Sequence, residues 1–83
     1  MLESTNALIG ALAAVLAESH RLETRIATES LSDADTARLM DRVQQMHAAY
    51  GDLSTAYERR RPDHPDLLPL ATLRARILAD VGA

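Results

Sequence analysis

The apolar run at residues 7–17, ALIGALAAVLA, limits the fold more than any other stretch, because apolar residues crowd every side of it. A bilayer span takes about 20 residues, so a run this short is expected to be buried by protein rather than by lipid. Leu8, Leu12, Val15, Ser19, Leu22 and Ile26 recur at alternating steps of four and three, which is a helical period with one polar member. Leu2, Ile9 and Leu16 form a second row beside the first, so the first half of this helix expects two neighbours. Only Leu22 and Ile26 stay large and apolar in residues 18–28, so the second half expects one. Ala7, Gly10, Ala11, Ala13, Ala14 and Ala17 lie between the rows. They either admit another backbone closely or serve as good helix formers, alanine being the best of them.

A chain of 83 residues is expected to make one domain. A chain of that size buries only about 60 to 65% of the surface its unfolded form exposes, so oligomerisation would add to a small margin of stability. There is no cysteine to form a disulfide or a thiolate metal site, which is compatible with a cytoplasmic location. The net charge is −3 with both signs interspersed, giving no footprint for nucleic acid or an anionic membrane. Every basic residue apart from histidine is arginine, a composition that suggests a GC-rich bacterial or phage genome. Glu3, and no arginine, precedes the apolar run, whereas an export signal wants a positive start.

The pattern predicts an all-α chain of three helices, at about 4–28, 33–60 and 67–81. Ser4, Thr5 and Asn6 are acceptable caps for the first. Ser32 with Asp35 three residues on is a capping-box pattern for the second, whose apolar row is Leu39, Val43, Met46, Tyr50, Leu53 and Tyr57. Gly51 inside it costs about 1 kcal/mol relative to alanine and marks either a bend or a close neighbour. Arg59, Arg60 and Arg61 precede Pro62, which is expected to stop this helix because the residue before a proline avoids the α region. Cations also belong at a helix C-terminus. Asp66 is the expected cap of the third helix, with Pro69 in its first turn, Leu67, Leu70, Leu73, Ile77, Leu78 and Val81 on its apolar face, and Gly82 ending it.

Two long helices joined by a short turn are antiparallel neighbours, so facing residue numbers should keep a constant sum. Leu22 with Leu39, Ser19 with Val43, Val15 with Met46, Leu12 with Tyr50, Leu8 with Leu53 and Thr5 with Tyr57 do so. The same register sets Glu23 opposite Arg38 and Glu18 near Arg42. The shorter third helix then returns with Leu70 beside Tyr57, Ile77 beside Tyr50 and Val81 near Met46. The expected architecture is a helical hairpin plus a shorter third helix, a three-helix bundle whose third member covers only the end opposite the hairpin turn.

That mismatch in length carries the functional expectation. The uncovered arm, with Leu22, Ile26, Leu31, Leu39, Met40 and Val43, is expected to meet a protein partner or a second copy in a homodimer, because helices gain most of their stability in water from tertiary packing. Arg21, Glu23 and Arg25 on a long first helix resemble in outline the layout of the chorismate mutases, which are helical bundles of this size. Those sites also use a lysine, which this chain lacks, so the three residues are expected to form a charged outer face and no catalytic residues are assigned. His20, His47 and His64 fall on separate elements without a second ligand at i+4, and the register sets His20 and His47 several turns out of step. No metal or cofactor is therefore expected. The alternative function is a DNA-associated regulator using a basic end made of Arg59, Arg60, Arg61, Arg74 and Arg76. The negative net charge and the leucine-rich first turn of the third helix stand against it.

Overall fold

The computed structural model describes residues 4–82. Leu2 of the second apolar row and Glu3 ahead of the apolar run lie outside the described residues. Three α-helices account for most of the chain, α1 over Thr5–Thr28, α2 over Asp33–Arg60 and α3 over Leu70–Gly82, with a short 3-10 turn at Arg61–Asp63. The first two boundaries fall where the caps put them. Ser4 sits in extended conformation and its Oγ accepts the Ala7 N–H at 3.1 Å, and Ser32 does the same for Asp35 at 3.1 Å. Asp33 and Asp35 lie in the first turn of α2, where the helix dipole favours them. Replacing Ser32 with alanine is expected to cost about 1 kcal/mol of folding free energy, measured by urea unfolding, because the Asp35 amide loses its acceptor.

α1 and α2 form the antiparallel hairpin. Its buried residues follow the first apolar row at Leu8, Leu12, Ser19 and Leu22 on α1, and meet Val43 and Tyr57 on α2. Glu18 reaches Arg42 across the hairpin at 3.5 Å, as the register requires. Two details differ. Val15, from the first row, is only half-buried, because α3 lies on the other side, where Leu16 of the second row is buried at 7% exposure against the second neighbour expected there. Glu23 pairs not with Arg38, which bonds Asp35 one turn along its own helix, but with His47 at 3.2 Å. The cause is the lean of helical side chains toward their own N-terminus. In antiparallel helices that lean carries Glu23 and His47 toward each other, while Arg38 is held by Asp35 on its own helix.

The third helix begins at Leu70, not at residue 67, and Asp66 does not cap it. Pro69 disfavours helical geometry at Leu68, and the Leu68 carbonyl accepts the Tyr57 hydroxyl at 2.6 Å. The Pro69 carbonyl is the acceptor for Leu73 N–H at 3.0 Å and so starts the helix. α2 stops at Arg60 as expected but for a different reason, since Arg61 keeps α geometry at φ −58° and ψ −39° ahead of Pro62. What Pro62 removes is an N–H that would have continued the helical ladder. Gly82 lies inside α3 and takes no left-handed conformation, so it is not the cap expected of it.

The core is centred on Leu8, Leu12 and Tyr57, with Ile9, Tyr50, Leu53, Leu70, Leu73 and Ile77 packed around them. Leu70 packs against the cluster that holds Tyr57, and Ile77 and Tyr50 line one crevice, in keeping with the expected return of the third helix. No residue of α3 is fully buried. A side chain added at Gly10 or Gly51 would meet nothing within 4 Å, so neither glycine lets a neighbouring backbone come close. The small residues of α1 serve helix formation first. The molecule measures 48 × 29 × 16 Å, and its radius of gyration of 14.7 Å exceeds the about 12 Å of a compact chain this long.

Candidate functional site

α3 spans 13 residues against 24 and 28 for α1 and α2, so it covers one end of the hairpin and leaves the arm around residues 22–43 as two helices. Six arm residues are candidates for contact with a partner, and the structure divides them. Leu22 and Val43 are buried, at 5% and 4% exposure, inside the hairpin seam and cannot face a partner without unfolding it. Ile26, Leu31 and Leu39 are half-buried. Met40 is the large apolar residue left exposed, at 43%. The seam closes on itself more fully than the count of helices suggests, and the apolar surface of the arm reduces to Met40 flanked by half-covered residues.

The arm's arginines are occupied at home. Arg21 bonds Glu18, Arg25 bonds Glu29 at 3.1 Å, Arg38 bonds Asp35, and Arg42 reaches Glu18. These pairs are exposed and contribute about 0 to 1 kcal/mol each. Arg21 and Arg25 therefore belong to a solvated face, and neither lines the cleft that Glu23 lines.

Where the cover of α3 runs out, a cleft of ≈ 190 Å³ opens between the three helices. Val15, Leu16, Met46 and Leu78 are among its apolar lining, and Ser19, His20, Glu23, His47, Tyr50 and Arg74 supply polar groups. Glu23 Oε1 accepts from the Ser19 hydroxyl at 3.3 Å and from His47 Nε2 at 3.2 Å. Serine and histidine bond the same carboxylate and not each other, so no activated nucleophile is assembled. The guanidinium of Arg74 lies over the Tyr50 ring, 5.9 Å from its centroid, within range of a cation–π attraction.

The sequence reading set His20 and His47 several turns apart, yet both line this cleft. The same N-terminal lean that joins Glu23 to His47 accounts for it. Among the described residues no group of three His, Cys, Asp or Glu side chains could hold a metal ion. Of the basic end, Arg74 and Arg60 lie well apart. Arg74 stands beside Tyr50, and ten residues of α2 separate Tyr50 from Arg60, about 15 Å of helix. Arg61 is taken up by Glu58 at 3.2 Å. Sequence reasoning missed the cleft, although the pairing of Ile77 with Tyr50 already set Arg74 one turn away from that tyrosine.

Fold and site together define a small three-helix bundle with an extended two-helix arm and an open interhelical cleft. No helix of the described residues is long and apolar enough to cross a membrane. No family model, curated protein or solved structure matches the chain.

Proposed function

We propose that this chain is a non-enzymatic protein–protein interaction module, of the kind that serves as a small adaptor, chaperone, antiactivator or inhibitor, and that its arm first associates with a second copy in a homodimer. The observation that carries the reading is the length of α3, which leaves the arm without a third helix and Met40 exposed at 43%. Area supports it. The chain exposes 5734 Å², whereas a folded monomer of 9.1 kDa exposes about 4,900 Å². The excess is close to the about 800 Å² that each partner buries in an interface of standard size. Two arms laid side by side make a four-helix layout in which Ile26, Leu31, Leu39 and Met40 lose their remaining exposure. The absence of cysteine and the lysine-free composition favour the cytoplasm of a bacterial or phage-infected cell.

Light scattering after size-exclusion chromatography over the micromolar range tests the reading. A dimer is expected, and Met40→Glu should weaken it about tenfold or more, as the loss of one buried methionine implies. A monomer throughout that range, with amides 22–43 as protected from hydrogen exchange as amides 8–16, would show that the arm needs no partner.

A further inference from the structure

We infer that the cleft between α1, α2 and the middle of α3 is a binding site for a monocarboxylate with a short apolar body, gripped by Arg74. This inference stands apart from the dimer reading, since it concerns the cleft and not the arm.

Three observations converge on it. Arg21, Arg25, Arg38, Arg42 and Arg61 each have a carboxylate partner, whereas among the described residues Arg59, Arg60, Arg74 and Arg76 have none, and of these four it is Arg74 that lines the cleft and rests on the face of Tyr50. A guanidinium so placed keeps its N–H edge for an acceptor, and a carboxylate matches that edge with two parallel bonds. The lining beside it includes Leu16, already buried in the bundle, with Val15, Met46 and Leu78, which suits an apolar body. The volume of ≈ 190 Å³ falls below the roughly 300 Å³ at which drug-sized pockets begin, so the guest is a side chain or a molecule of that size.

The charge pattern chooses the anion. Glu23 lines the same cleft, and although Oε1 is engaged by Ser19 and His47, its negative charge remains. A dianion such as phosphate would meet twice that repulsion with one guanidinium to offset it, and it has no apolar part to place against Leu16 and Leu78. A monocarboxylate satisfies Arg74 through its head and the lining through its body. The carboxylate can be carried by a free small acid or by the C-terminus of another protein, and the test separates the two.

The experiment is a titration of the full ¹⁵N-labelled chain with benzoate and 3-methylbutanoate, with benzamide as the neutral counterpart, followed by amide shifts. Both acids are expected to move amides 19–23, 46–50 and 74–78 along saturating curves, with benzamide at least tenfold weaker. Arg74→Gln should weaken benzoate about tenfold. It should leave the melting temperature nearly unchanged because Arg74 is exposed. Glu23→Gln should tighten binding several-fold by removing a like charge. An N-acetylated peptide ending in leucine that binds better than 3-methylbutanoate assigns the carboxylate to a protein C-terminus, and the reverse order assigns it to a free acid. Equal shifts from benzamide and benzoate, or benzoate shifts that centre on Arg59, Arg60 and Arg61, overturn the inference.

Discussion

Leu12→Ala is expected to lower the unfolding free energy by about 3 to 5 kcal/mol, the range for truncating a leucine that cannot be replaced by collapse of its surroundings. Leu12 is 1% exposed and belongs to the central cluster with Leu8 and Tyr57, and it lines the crevice that Leu70, Leu73 and Ile77 close from α3. It is thus the residue that all three helices share. A chain of this length holds about 4 to 12 kcal/mol in total, so the substitution removes a large part of its stability. Its melting temperature should fall by more than about 10 °C. Denaturant unfolding checks it through a lower midpoint with an unchanged slope. A loss below about 1 kcal/mol would mean that the three helices do not meet at Leu12.

Tyr57 is expected to show two separable effects. Its ring is 1% exposed, and its hydroxyl donates to the Leu68 carbonyl at 2.6 Å, which ties α2 to the segment leading into α3. Tyr57→Ala removes both and should cost about 3 to 5 kcal/mol. Tyr57→Phe keeps the packing and leaves a part-buried carbonyl without its donor, at about 1 to 2 kcal/mol. The Phe variant should also speed amide exchange in residues 66–73 relative to α1. If Tyr57→Phe matches the parent in both stability and exchange, the hydroxyl contributes nothing and packing alone seats α3.

The same hydroxyl predicts an alkaline limit. Burial pushes the Tyr57 phenol above its ordinary value of 10.0, with Arg61 pulling it down and Glu58 adding to the rise. A pKa raised in the folded state means that the folded chain holds a proton that the unfolded chain has released. The phenol's contribution is therefore fully present below pH 10 and is lost as pH rises through the higher folded value. Unfolding midpoints measured from pH 8 upward should fall past pH 10 in the parent and fall less in Tyr57→Phe.

These effects bear on function through the position of α3. That helix buries no residue completely, so its seat depends on the sum of half-buried contacts at Leu70, Leu73 and Ile77 and on the Tyr57 tether. The cleft takes Arg74 and Leu78 from the same helix. A variant that loosens α3 should therefore weaken carboxylate binding while leaving arm-mediated dimerisation intact. The two proposals can in this way be tested on one set of proteins.

Much of this architecture was legible in the residues themselves. The alternating four-three rows, Ser4 and Ser32 as caps, and the antiparallel register that joins Glu18 to Arg42 are local or periodic properties, and a helix realises them wherever its apolar stripe is covered. The expected third helix, shorter than the others and returning beside Tyr57 and Tyr50, follows from the same arithmetic. What only tertiary structure decided lies in side-chain reach and in competition for shared groups. Val15 stayed half-buried although it belongs to the first row, because α3 packs on the Leu16 side. Helix α3 waits until Leu70 because Pro69 keeps Leu68 out of helical geometry, and the Leu68 carbonyl so left is bonded across the bundle by Tyr57. Glu23 found His47, and Leu22 and Val43 withdrew from the surface, because side chains lean and seams close by amounts that the spacing of letters does not record.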